Sequence, residues 1–218
     1  MRVLRNNGLT IVLMAIFLIT LFGQLWSGQV EYNDDQRDHG LPQISLLAYG
    51  GTSHFWQALA ENVESEFLQM AVFVVFTVFL FQKGSPETKD PDDKSLEDED
   101  PRLKRDDPKA PWPVRRGGFV LWLYSHSLSI FFLAIFFLSF GLHALAGRWA
   151  YARAQQFAGQ PEPTLGQYVT SGRFWFESMQ NWQNEFLSLA AMVYASVYLR
   201  ERGSAESKRV AAPHDEHE

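Results

Sequence analysis

Apolar residues are concentrated in four runs that polar and charged segments separate. The first run extends from Leu9 to about Trp26, and the third from Phe119 to about Ala146. The second and fourth runs each follow a polar stretch and end near Phe81 and Leu199. A helix of about 20 apolar residues crosses the ~30 Å core of a bilayer. The pattern predicts an all-α membrane protein with four transmembrane helices.

The chain repeats itself at a shift of 119 residues. The shift aligns about 80 positions without a gap, among them Gly28 with Gly147, Pro42 with Pro161, Tyr49 with Tyr168, Asn62 with Asn181 and Glu66 with Glu185. Chance composition would not keep such different residue types in register. We interpret the chain as a tandem duplication of a two-helix unit.

The polar segments inside each repeat predict small structured outer loops. Gly40 and Pro42 interrupt any helix that leaves the first apolar run. Residues that commonly cap helix N-termini follow this break. They are Ser45 and Thr52 or Ser53 in the first copy, and Thr164 and Ser171 in the second. A cleaved signal peptide is the alternative for the first apolar run, but its repeat partner lies mid-chain.

Charge predicts the organisation and orientation. The repeats occupy 1–84 and 119–203, an acidic linker with several prolines occupies 85–118, and a charged tail occupies 204–218. Of 19 Lys and Arg residues, 15 lie before the first run, in or next to the linker, or after the fourth run. The positive-inside rule puts both termini and the linker in the cytoplasm, so the repeats are parallel. Linker composition predicts disorder.

Each repeat carries Asn and Glu four residues apart, at the polar start of its second long helix: Asn62 with Glu66, and Asn181 with Glu185. Residues at this spacing share a helix face. Ionisable residues at membrane depth indicate function, and two facing glutamates would favour protonation and bind a proton or cation. Because the apolar run starts directly after them, the favoured interpretation is that both glutamates lie at the headgroup boundary and fix helix depth. Three glutamates without a counterpart are predicted to face water: Glu61, Glu64 and Glu177.

Aromatic residues make up 15 % of the chain. Those near the polar stretches are candidates for packing or interfacial contacts: Trp56, Phe67, Trp175, Trp182 and Phe186. Trp112, Arg115 and Arg116 are typical of an interfacial anchor on the cytoplasmic side. His126 and His143 lie about 25 Å apart on one ideal helix, too far to share a metal or a haem.

Composition and motifs leave few chemical functions. The chain has no Cys and a formal net charge of −6, which gives no basis for a thiolate site or for nucleic-acid binding. Nucleotide-binding, hydrolase and zinc-protease motifs are absent from the sequence, and Gly117-Gly118 follows no strand, so it has no phosphate-binding meaning. We predict no catalytic residue, cofactor or metal.

Several segments together resemble a family of small bacterial membrane proteins described only as a domain of unknown function: residues 5–9, 64–69, 110–118, and 174–178 with 181–183. The resemblance covers nearly the whole chain. It implies a bacterial inner-membrane setting and supplies no catalytic residue to carry over.

The function expected from these features is non-enzymatic. The chain would be an accessory or scaffold subunit of a larger membrane complex, or a homo-oligomer, in contact with the lipid bilayer. A small transporter or channel for protons, cations or solutes that uses the Asn and Glu pairs is the alternative. A haem- or quinone-linked redox subunit ranks last.

Overall fold

The computed structural model describes residues 2–89 and 96–214, with side chains from residue 6 onward. The predicted cations at Arg2 and Arg5, the acidic positions 90–93 and the last four residues of the tail therefore lie outside the described side chains. The described residues form helices and turns, with no strand among them. The all-α prediction is confirmed.

Eight α-helices carry the fold of the described residues. Three precede the linker and five follow its central part: α1 (Arg2–Asp38), α2 (Leu46–Tyr49), α3 (Ser53–Phe76), α4 (Trp112–Arg116), α5 (Gly118–Ser125), α6 (Ser127–Phe157), α7 (Leu165–Val169) and α8 (Gly172–Tyr198). In the described part of the chain, α1 from Asn6 and α6 are long and apolar enough to cross a membrane. The helices α3 and α8 do not meet this test, so two of the four predicted spans have this support.

The predicted helix starts are confirmed. The side chains of four residues each accept a hydrogen bond from a backbone N–H three positions on, at about 3.3 Å: Ser45, Thr52, Thr164 and Ser171. Such a bond satisfies one of the N–H groups that the first helical turn leaves without an acceptor. Local sequence therefore sets where α2, α3, α7 and α8 begin.

Helix ends differ from the apolar runs. The helix α1 continues through the polar residues to Asp38, and α3 ends at Phe76 rather than near Phe81. The Thr77 hydroxyl donates to the Val74 carbonyl at 3.1 Å, which competes with the helical backbone pattern. The third run is broken at His126, where φ is −112°, as α1 is broken at Asn7, where φ is −131°.

Positions 119 residues apart share local geometry beyond these breaks. Gly40 and Gly159 follow α1 and α6 with φ of 69° and 67°, and Gly84 and Gly203 have φ of 87° and 90°. These values lie in the left-handed region that side chains disfavour. Glycine at the same position of each copy therefore meets the same backbone requirement.

The described part of the linker after residue 95 contains short turns. These are 3₁₀ turns at Leu96–Asp98 and Pro101–Lys104, before α4. The Asp100 side chain accepts from the Arg102 backbone N–H and from its guanidinium, at 2.7–2.9 Å. A local ion pair and a proline at the first turn position thus favour the second turn, whereas positions 90–95 of the predicted disordered linker lie outside the described residues.

The chain divides into two compact units: Met1–Ala60 with Leu142–Thr170, and Glu61–Gly141 with Ser171–Glu218. In the first unit, Arg153 of α6 lies over the Tyr32 ring at 4.1 Å and contacts Asp35 and Gln36 of α1. Tyr49 and Tyr168 are the most buried large side chains of this unit among the described residues. The second unit contains the candidate site.

Candidate functional site

One face of α8 is buried along its polar first half. Phe174, Ser178, Trp182 and Glu185 follow one another at spacings of three and four residues, so they project from the same side of the helix. Phe174 and Ser178 have no exposed surface. A hydroxyl and a carboxyl group therefore share a face with two large aromatic rings.

Trp182 connects this face to α3. Its ring packs near Phe136 and Phe140 of α6, at 6.2 and 6.4 Å between centroids. Its indole N–H donates to Glu64 Oε1 at 3.1 Å. Glu64 has no exposed surface, so this donor offsets part of the large cost of burying a carboxyl group.

The prediction that Glu64 faces water is wrong. At the 119-residue shift, Glu64 aligns with Gln183. Because the second repeat has no matching Glu, Glu64 was predicted to lie on the surface. The donor to Glu64 is instead the neighbouring Trp182. A usable signal existed within α3, since buried alanines lie four residues before and seven after Glu64, at Ala60 and Ala71.

The two repeated glutamates meet. The carboxyl groups of Glu66 and Glu185 lie close enough to interact, and Gln69 Nε2 donates to the Glu185 backbone carbonyl at 3.1 Å. Glu185 is half-buried and Glu66 is exposed. The carboxyl group of each copy thus has the carboxyl group of the other as a direct neighbour.

The repeated asparagines do not form such a pair. Asn62 is exposed, and Asn181 Nδ2 donates to the Glu177 carbonyl of its own helix at 3.2 Å. The four predicted site residues therefore reduce to two that make direct contact across α3 and α8. Buried Glu64 and its donor Trp182 make a second polar contact between the same two helices.

Ser178 supplies a further polar atom. Its Oγ is buried and has no hydrogen-bond partner among the described residues. It lies one helical turn before Trp182 on the same face. An orphaned buried hydroxyl is rare and calls for an explanation. Carboxyl and hydroxyl groups of this kind can carry a proton or bind a hard cation.

A family model described as "Domain of unknown function (DUF6766)" matches residues 1–218. The chain belongs to that family. No curated protein and no solved structure matches the chain. The resemblance stated from the sequence is confirmed at the level of the family, whereas its bacterial and membrane setting stays a prediction.

The remaining predicted aromatics of this DUF6766 chain are mostly peripheral. Trp56, Trp175 and Phe186 are exposed, and the half-buried Phe67 packs against Phe132 with 5.9 Å between ring centroids. Trp175 also lies near Trp182, at 6.3 Å. These positions leave Trp182 as the predicted aromatic with a polar role.

The residues of the predicted interfacial anchor are exposed, and the two histidines differ in burial. Trp112 is exposed, with the Arg116 guanidinium 5.7 Å from its ring, and Arg115 is exposed. His126 is exposed at the end of α5, whereas His143 has no exposed surface. The two histidines therefore lie in different environments, one exposed and one buried.

A second polar cluster of the family chain was missed from the sequence. Tyr49 Oη and His54 Nδ1 are 2.9 Å apart, and His54 Nε2 lies 3.7 Å from a Glu31 carboxylate oxygen. Burial, and secondarily the charge of Glu31, raises the pKa of Tyr49. The second copy has Arg173 in place of His54, so comparison of the repeats was the available signal.

Proposed function

We propose that the protein is a four-span α-helical membrane protein whose Glu66–Glu185 pair binds and exchanges a proton or a cation during transport. Its spans form two tandem, parallel two-helix repeats in the bacterial inner membrane, with both termini cytoplasmic. The proximity of the Glu66 and Glu185 carboxyl groups favours transport over the accessory role expected from composition.

The close approach of the two carboxyl groups supports the proposal. Ionised carboxylates only accept hydrogen bonds, so two carboxyl groups bond to one another when one of them holds a proton. Glu66 and Glu185 lie close enough for one proton to be shared between them. A cation that replaces the shared proton would find two carboxylates already adjacent, and the proton would leave as the cation enters.

Lengths and polarity support the four-span arrangement. The helices α3 and α8 have 24 and 27 residues, which corresponds to about 36 and 40 Å of helix. Both lengths exceed the ~30 Å core of a bilayer. Their carboxyl groups face one another or Trp182, and such mutual pairing lowers the cost of polar groups at membrane depth.

The duplication is supported by geometry as well as by sequence identity. Breaks at Asn7 and His126, and left-handed glycines at Gly40 and Gly159, fall 119 residues apart. Parallel repeats place equivalent residues on facing helices, which is the relation that Glu66 and Glu185 have.

Flux through reconstituted vesicles tests the proposal. Purified protein is incorporated into liposomes that contain a pH-sensitive dye, and proton movement is followed after a potassium-diffusion potential or a Na⁺ gradient is imposed. The double variant Glu66→Gln, Glu185→Gln is expected to abolish flux, whereas the matched control Glu201→Gln, an exposed glutamate just after α8, retains it. Unchanged flux in the double variant, with wild-type helicity, contradicts the proposal.

The accessory or homo-oligomeric role is the second candidate, and the surface of α1 favours it. Its apolar window contains no buried residue in the described chain, and Leu9, Ile19 and Phe22 are 60–76 % exposed. Lipid or a partner helix would cover this surface. Native mass spectrometry after gentle extraction separates these cases: a stoichiometric foreign subunit supports the accessory role, and a monomer that conducts contradicts it.

A further inference from the structure

A cavity of about 600 Å³ lies between the linker turn Pro101–Lys104 and the start of α5. Volumes of this size are typical of small-molecule sites. Its lining includes Val114 and Leu121, which are apolar and buried, and the ring of Trp122. The inner surface of the cavity is therefore apolar over much of its extent.

The cavity runs along the first turns of α5. It extends from Gly118 to Ser125 and His126, which corresponds to about 12 Å of helix. Trp122 and His126 lie side by side on its wall, with ring centroids 5.1 Å apart. An elongated molecule with an apolar part fits this shape better than a compact polar one does.

Two guanidinium groups line the cavity, and only one of them is paired with a carboxylate among the described residues. Arg102 is held by both carboxylate oxygens of Asp100 at 2.7–2.9 Å. The Arg105 backbone N–H donates to the Arg102 carbonyl, whereas its guanidinium has no hydrogen-bond or ion-pair partner in the described part of the chain. A cation without a counter-charge beside an apolar surface is complementary to an amphipathic anion.

Arg105 lies beside the start of α5. Its guanidinium carbon is 3.9 Å from the place that a Cβ of Gly117 would occupy, which is an ordinary van der Waals distance. Gly117 has φ 71° and ψ −165°, a conformation restricted to glycine. The turn at Gly117 therefore requires glycine for its backbone conformation, and it lies in the cavity wall next to the Arg105 cation.

We propose that this cavity binds an anionic phospholipid of the cytoplasmic leaflet, with the headgroup phosphate at Arg105 and an acyl chain along Leu121 and Trp122. The exposed Trp112 and Arg116 nearby in the chain are typical of residues at headgroup level. The proposal uses the membrane location of the proposed function and is independent of the Glu66–Glu185 pair.

Lipid retention tests the proposal. The full chain is reconstituted in vesicles of phosphatidylglycerol and phosphatidylcholine, extracted gently, and analysed by native mass spectrometry for bound lipid. The wild type is expected to retain phosphatidylglycerol selectively, and Arg105→Gln to reduce that retention about tenfold, since a charge-assisted hydrogen bond contributes about 1.5–3 kcal/mol. The control Lys109→Gln removes an exposed linker cation outside the cavity and should change nothing.

A second variant acts through shape rather than charge. Ser125→Trp adds a large side chain at an exposed position of the cavity wall, so the fold should tolerate it while lipid is displaced. Selective retention in both variants would overturn the proposal, as would equal retention of the two lipids by the wild type. Displacement of the lipid by millimolar inorganic phosphate would also overturn it, in favour of a free-anion site. Glu66→Gln with Glu185→Gln should leave retention unchanged, which separates this test from the flux assay.

Discussion

Substitution of two glycines of α1, Gly28 and Gly23, by alanine should change stability in opposite directions. A Cβ at Gly28 of α1 would lie 2.3 Å from Tyr49 Oη and 2.9 Å from its Cζ. The second copy repeats the contact, since a Cβ at Gly147 of α6 would lie 2.2 and 2.7 Å from the same atoms of Tyr168. Both tyrosine rings are buried, so neither can swing into solvent without loss of packing.

The expected cost of Gly28→Ala follows from these distances. Contacts under 3.0 Å force the ring or the helix to move, and such overpacking costs about 1–3 kcal/mol. Alanine in a helix interior recovers about 0.5–1 kcal/mol relative to glycine. We expect Gly28→Ala to lower the free energy of unfolding by about 1–2 kcal/mol, and Gly147→Ala to do the same.

The matched control is Gly23→Ala, in the same helix. No described atom lies within 4 Å of a Cβ at Gly23 outside its own helix backbone, so this change should stabilise by about 0.5–1 kcal/mol. Equilibrium unfolding in mixed detergent micelles, followed by circular dichroism, measures both. Tyr49→Phe should rescue Gly28→Ala only in part, because Cζ remains. Equal effects of the Gly23 and Gly28 substitutions would refute the reasoning.

Two further substitutions test the second unit. Trp182→Phe removes the donor to buried Glu64 and should cost about 1–3 kcal/mol of unfolding free energy; the same change in a Glu64→Met background, which lacks the oxygen acceptor, should cost less, and an equal cost there would exclude the interaction. Burial, and secondarily the neighbouring Glu206, raises the pKa of Glu87, so its stabilising contribution is complete at low pH and is lost as pH rises through the raised value. Glu87→Gln should therefore raise the melting temperature at pH 7 but not below about pH 4, whereas the exposed control Glu97→Gln should change the melting temperature little at pH 7.

Local signals allowed much of the fold to be predicted. Hydroxyl side chains located the starts of α2, α3, α7 and α8, because a cap acts within a few residues of its own position. Glycines at positions 40 and 159 located the ends of α1 and α6 for the same reason. The end of α3 at Phe76 could not be located from hydropathy, because Thr77 competes with the helical backbone while the apolar run continues.

Comparison of the two repeated segments predicted only part of the site. It singled out Glu66 and Glu185, which occupy matching positions, and their carboxyl groups lie close together. Glu64 has no counterpart, and its partner Trp182 lies on another helix, so neither spacing nor repeat comparison could pair them. Tertiary packing, which places α8 against α3, decides which glutamate is buried.

The measurement that most directly tests the central claim is infrared difference spectroscopy of the protonated carboxyl band in reconstituted protein near neutral pH. A shared proton between Glu66 and Glu185 predicts a band in the wild type that disappears or shifts in both Glu66→Gln and Glu185→Gln, and that persists in Glu201→Gln. A wild-type band that neither substitution changes, or no such band, would contradict the claim.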